Sequence, residues 1–182
     1  MVITIDFETE AIIKGYPTPP EPVGVALKIG DCPSEYFEIN DNTYEAVSIL
    51  LRDCIEFATN VVMHNSKFDA GILACYFDIE IPAGKLDDTM FMAYLNNPRE
   101  ESFGLKQLAE KHLGIPPDEQ ADLEEWVLTN VPEATKTNWG AYIARAPVAI
   151  VSKYAEADTD MTKKLYDYFL PIIQETTAPR IL

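Results

Sequence analysis

Basic residues are scarce in this chain. Fourteen lysines and arginines stand against thirty aspartates and glutamates, which sets the net charge at −16 at pH 7. A broad basic face that grips nucleic acid along its length is therefore excluded, because counterion release needs clustered Lys and Arg. Any such contact must be short and local, or bound cations must offset some of the acids. Histidine is scarcer still, with two residues, and cysteine contributes only Cys32, Cys54 and Cys75. Three cysteines without metal-ligand spacing read as reduced thiols. No apolar run approaches the roughly 20 residues of a membrane helix. The opening stretch from Met1 to Glu8 has neither the basic segment nor the cleavage site of a secretory signal. The expectation is a cytoplasmic protein with no membrane partner. Its 47% hydrophobic content is that of an ordinary globular chain. Its length predicts a single domain over residues 1–182.

The periodicity alternates between strand and helix. Ile3, Ile5 and Phe7 alternate with Thr4, Asp6 and Glu8, the period of a strand over 2–8. The Pro-rich stretch 15–22 is a loop. Segment 23–29 is a second strand, and a turn at 30–34 returns it into 35–39. Asn42-Thr43 can cap a helix that runs to about residue 57. A short buried strand at 61–63 leads into a helix at 66–77, and Asp88 caps a helix over 89–95. A helix over 103–113 closes at Gly114. Residues 115–147 read as short helical pieces around Trp126 and Tyr142. A long helix then starts at Pro147, and Pro171 is expected to kink or end it. Hairpin-like strands followed by alternating helix and strand predict an α/β fold, a central mixed sheet flanked by helices.

The chemistry sits in three acidic motifs. Asp6 and Glu8 share one face of the first strand, since residues i and i+2 point the same way. By themselves they could be edge charges that deter aggregation. Asp69 opens a helix after His64-Asn-Ser-Lys-Phe68, where the helix dipole favours an acid whatever its function. Tyr154 and Asp158 stand at i and i+4 on the last helix and project together. Glu156 and Asp160 point roughly 160–200° away and are excluded from the site. Together these four carboxylates, without a well-placed His, Cys or Ser, point to hard divalent cations. Two such ions can clamp the attacking and leaving oxygens of a phosphodiester. His64 and His112 read as isolated, with His112 solvated. Trp126 and Trp139 read as core, Lys67 as a surface lysine within reach of a phosphate, Asp87 as a loop acid and Asp88 as a cap.

Asp6-Phe-Glu8-Thr9, Asn65-Ser-Lys-Phe-Asp69 and Tyr154-Ala-Glu-Ala-Asp158, in that order, resemble the DnaQ-like (DEDD) superfamily of 3′–5′ exonucleases in its tyrosine-bearing DEDDy branch. Asp88-Thr-Met90, Tyr94-Leu95 and Leu105-Lys-Gln-Leu-Ala-Glu-Lys-His-Leu-Gly114 look like the intervening helices of family-A DNA polymerase proofreading domains. The resemblance implies an RNase H-like fold and two divalent ions, Mg²⁺ or Mn²⁺. It implies that Asp6, Glu8 and Asp158 hold the ion that activates water, that Asp6 bridges to a second ion completed by Asp69, and that Tyr154 orients the nucleophile. It also places the Thr9 backbone near the terminal 3′-OH, Ile12 as a wedge beside the last base, and Asn65 and Phe68 around the terminal nucleotide. The implied activity is metal-dependent 3′–5′ hydrolysis of single-stranded DNA ends to nucleoside 5′-monophosphates. Proofreading beside a family-A DNA polymerase, as a separate chain or domain, is the implied setting. The competing readings are an RNase D-like exoribonuclease, and a silent polymerase-accessory or acidic interaction module.

Overall fold

The strict alternation at the N-terminus divides β1 (Val2–Thr9) between two layers. A computed structural model describes residues 1–82, 84–116 and 118–177. Ile3, Ile5 and Phe7 enter a core with Val25, Leu27, Leu51, Val61 and Leu73. That core lies under helices α1 (Tyr44–Phe57) and α2 (Ser66–Phe77). Thr4, Asp6 and Glu8 face the opposite layer. There α3 (Thr89–Asn96), α4 (Leu105–Leu113) and α6 (Val148–Thr177) pack around Val62, Met92, Leu108, Leu165 and Phe169. A third cluster joins α5 (Asp118–Asn130), a 3-10 helix (Trp139–Arg145) and the start of α6 through Leu123, Val127, Ile143 and Val151.

The sheet runs β3-β2-β1-β4-β5, with β2 (Pro22–Ile29), β3 (Glu35–Glu38), β4 (Asn60–Met63) and β5 (Leu86–Asp88). β1, β2 and β3 pair antiparallel, and β4 and β5 continue the sheet parallel to β1. The last β1–β4 pair is Thr4↔Val62, so β1 runs five residues past its last pairing with β4. That overhang carries Asp6 and Glu8. The β1–β2 register also shifts between Glu8 and Thr9, which bends the strand tip. Opposite Glu8 lies Gly24, and a side chain there would collide with the Tyr36 phenol.

Several expectations are corrected. Asp87 is not a loop acid: three residues with one apolar side chain carry no strand period, but pairing to β4 makes Leu86–Asp88 a strand, β5. α5 is one continuous helix rather than short pieces, held by Leu123 and Val127 beneath an otherwise polar surface. Pro171 lies inside α6 without ending it. It is solvent-exposed, so the carbonyl that loses its N–H partner there can turn to water. Thr43 does not cap α1 with its side chain. Its hydroxyl donates to the Glu38 carbonyl (2.7 Å) and accepts from the Asn40 N–H (2.9 Å), which fastens the β3–α1 turn.

Asp88 does more than the single cap expected of it. Its carboxylate accepts from Met90 N at the start of α3 (2.8 Å), and from Asn65 N (3.1 Å) and Ser66 N (2.8 Å) at the start of α2. One side chain thus satisfies orphan donors of two helices. Asp88→Ala should cost about 1–2 kcal/mol in urea unfolding. A loss well under that range would show that water replaces the carboxylate at both ends.

Candidate active site

Four carboxylates meet where β1 overhangs the sheet. Glu8 is 6% exposed, Asp69 3% and Asp158 6%, while Asp6 is partly open. Asp69 arrives from the first turn of α2. The overhang explains its placement: Phe7 lies beyond the last residue paired to β4, so its N–H is left to donate to Asp69 Oδ1 (2.9 Å). Asp158 arrives from α6, whose rotation is set by the acids on its other side. Asp160 Oδ1 accepts from Ser34 Oγ (2.6 Å) and pairs with Lys28 Nζ (2.9 Å), and Glu156 accepts from the Tyr36 N–H (3.2 Å). Those two carboxylates grip the β2–β3 edge, as their exclusion from the site required. Asp158, turned roughly 160–200° from both, faces β1 and α4.

The electrostatics show how closely these groups share space. Burial, followed by the charges of Glu8, Asp69 and Asp158, raises the Asp6 carboxyl well above the usual carboxylate range. Burial raises Glu8 in the same way, reinforced by Asp158 and Asp69. Burial lifts Asp69 to about 7 against the pull of its Phe7 hydrogen bond. The Tyr154 phenol is raised by burial and then by Asp158, Glu8 and Asp6. All five expected residues therefore converge in one cleft. It is a costly one, since like charges this close must share protons or cations.

Residues 2–174 match a family model described as a 3′–5′ exonuclease. The chain belongs to this 3′–5′ exonuclease family. It is 29% identical over 150 residues to the DNA polymerase DpoZ of Salmonella phage PMBT28, covering 81% of this chain but 23% of that one. The chain thus spans about a quarter of the length of that polymerase. Solved structures share its fold. Brucella melitensis NrnC with bound Mg²⁺ superposes with a TM-score of 0.65 at 16% identity, covering 98% of this chain and 76% of that one. Trypanosoma brucei RNase D in complex with RNA U12 does so with a TM-score of 0.65 at 15% identity, covering 93% and 55%. The fold of this exonuclease domain is the RNase H-like α/β fold.

The donor set suits the divalent ions that the family generally uses. It consists of hard carboxylate oxygens, mutually repelling and largely withdrawn from water. Among the described residues, however, no three such side chains already close on a single point. A cation of the chain itself sits on one of them: Lys106, which sequence reading passed over. Its Nζ is ion-paired with Asp158 Oδ1 and lies 4.6 Å from the Tyr154 ring centroid. A signal for it was present: a lysine in the first turn of a helix opposes the dipole and needs a partner. Tyr36 was also missed. Its phenol covers Gly24 beside Glu8, and burial followed by the Glu8 charge raises it.

The remaining residues divide between surface and scaffold. Thr9 ends β1 with its hydroxyl donating to the Glu10 carbonyl (2.9 Å). Ile12 is 71% exposed in the following loop. Asn65 is exposed in the left-handed region (φ 61°) at the start of α2, and Phe68 packs on the β1 core. His64 is not isolated. Its Nε2–H donates to the Phe103 carbonyl (3.0 Å), which leaves Nδ1 to accept from Thr89 Oγ1 (2.8 Å). Burial lowers its pKa. His112 is not solvated, because its ring packs 5.2 Å from both Tyr168 and Phe169. Asp87 lies in β5 and accepts from Asn60 Nδ2 (2.8 Å). Lys67 is exposed. Trp126 and Trp139 pack on the third cluster, and Trp139 meets the Tyr154 ring edge-on at 6.4 Å. A cavity of 420 Å³ between α5 and α6, lined by Trp126, Ile150 and Lys153, contains none of the five site residues.

Proposed function

We propose that this domain is a metal-dependent 3′–5′ exonuclease that removes nucleoside 5′-monophosphates from the 3′ ends of single-stranded DNA. The observation that carries the reading is the convergence of Asp6, Glu8, Asp69, Asp158 and Tyr154 on the overhanging end of β1. Asp6, Glu8, Asp69 and Asp158 would hold the divalent ions, two of Mg²⁺ or Mn²⁺. When bound, those ions supply electrostatic stabilisation of the attacking and leaving oxygens.

The chain's own groups do the rest. The Tyr154 hydroxyl, held in the protonated form, hydrogen-bonds the attacking water and fixes its direction. Water adds to the terminal phosphorus and releases a proton, the bond to the 3′-oxygen of the preceding nucleotide breaks, and that oxygen takes up a proton, so that one water is consumed. Thr9 offers backbone at the strand tip to the terminal 3′-OH. Ile12, exposed beside it, wedges the last base, while Asn65 and Phe68 line the other side of the terminal nucleotide. The net charge of −16 opposes long-range steering of a polyanion. Affinity for free strands is correspondingly weak and confined to a few terminal nucleotides. A polymerase, as a further domain or a separate chain, would supply the local concentration that this surface does not.

The test is product analysis on 5′-labelled single-stranded DNA and its RNA counterpart, with Mg²⁺, Mn²⁺ or EDTA. A metal-dependent ladder that shortens from the 3′ end is expected, faster on DNA. A faster RNA ladder would move the substrate to the RNase D-like reading. No cleavage of either strand would leave a silent accessory module. Tyr154→Phe should lower the rate by about 100-fold, the scale of one lost hydrogen bond to a reacting oxygen. Full activity in that variant would remove Tyr154 from the mechanism.

A further inference from the structure

Lys106 lies at the first turn of α4 with only 9% of its surface exposed. It touches both residues of the third motif, pairing with Asp158 and covering the face of the Tyr154 ring. A buried ammonium is costly unless it is paired, and the N-terminal end of a helix is the wrong end for a cation. It shares the buried face of α4 with Leu108 and Ala109. What offsets the cost is the charge of the acidic cleft. Lys106 acts on Asp6 and Glu8 as well as on its direct partner.

We propose that Lys106 is a built-in counter-cation of the acidic cleft that competes with divalent ions for Asp158. It keeps four adjacent carboxylates compatible with a folded chain, and it weakens cation binding in doing so. The inference rests on the metal-dependent reading above. Its physical basis is that an ammonium held at Asp158 Oδ1 repels a divalent ion brought to the same carboxylate. Loading a cation therefore works against the Lys106 charge, and that repulsion is subtracted from the affinity of the metal.

The test uses the full chain with Lys106→Met, which keeps the stem over the Tyr154 ring and removes the charge, and with Lys106→Gln. Affinity is read by calorimetric titration with Mn²⁺ alone, and Tm is read in EDTA and in excess Mg²⁺. In both variants Tm in EDTA should fall below that of the unaltered protein, Mn²⁺ should bind about tenfold more tightly, and the gain in Tm on adding Mg²⁺ should grow. A purely structural lysine would lower Tm equally with and without Mg²⁺ and leave Mn²⁺ affinity unchanged, which would overturn the proposal. Weaker Mn²⁺ binding would overturn it too, by showing that Lys106 supports the cation site. If Lys106→Met unfolds in EDTA, withdrawing Mn²⁺ from the loaded variant reads the same affinity. Failure of the unaltered protein to bind Mn²⁺ at all would instead sink the metal-dependent reading, and this inference with it.

Discussion

Asp6→Ala is expected to reduce hydrolysis by about 10³-fold or more, the scale seen when one member of a concerted catalytic set is removed. The expectation follows from the position of Asp6. It faces Glu8, Asp69 and Asp158 together, and each of the three charges acts on its carboxyl. Its charge also acts on the Tyr154 phenol. The same substitution should raise Tm in EDTA, because it removes one of four crowded carboxyls, whose ionisation burial and its neighbours oppose. A loss of activity with a gain in stability is the signature of a site held against its own repulsion. An Asp6→Ala protein that still trims a labelled strand, free of contaminating nuclease, would end the assignment of this cleft as the catalytic centre. Lost activity with Tm lowered by many degrees would show instead that Asp6 is part of the scaffold.

The second large effect is the dependence of stability on pH and metal. The Asp69 carboxyl titrates at about 7 in the folded chain against an ordinary value of 3.8, and Asp6 and Glu8 move in the same direction. A carboxyl with a raised folded pKa holds its proton more tightly in the native state than in the unfolded one. Its contribution is fully present below about pH 4 and is lost as pH rises through about 7. In EDTA, Tm should therefore fall steadily across that window. Divalent ions replace those protons, so their affinity rises with pH, and the rescue of Tm by Mg²⁺ should be largest above about pH 7. Thermal melts from pH 4 to 8, with and without Mg²⁺, read both effects. A Tm in EDTA that rises toward neutrality, or a Mg²⁺ gain as large at pH 5 as at pH 8, would contradict the shared-proton account of the cleft.

The parts of the fold legible in the sequence are those where period and burial agree. Alternation in β1 announced both a core face and an acid-bearing face, and the i, i+4 spacing put Tyr154 and Asp158 on one side of α6. β5 escaped because a strand can be made by pairing alone: Leu86–Asp88 joins β4 with almost no apolar signal. Pro171 does not end α6, because its exposed position lets the carbonyl that loses its N–H partner turn to water. His112 and His64 misled because a lone histidine in a list of residues says nothing about the rings and hydroxyls that come to surround it. Asp88 was legible as one cap, but its service to α2 depends on β4 and β5 ending side by side.

By itself, the sequence determined the layered α/β plan, the choice of the five residues proposed for the site and the acidic character that calls for cations. These follow from residue type and short spacing, which are local properties of the chain. Only the tertiary structure decided how those residues meet. The overhang of β1 beyond β4 frees the Phe7 N–H that draws in Asp69, and the grip of Glu156 and Asp160 on the β2–β3 edge sets the rotation that aims Asp158 inward. Only the tertiary structure brought Lys106 onto Asp158, across 52 residues of chain. Electrostatic coupling depends on distance in space, and no pattern along the chain encodes the separation of groups carried by different elements.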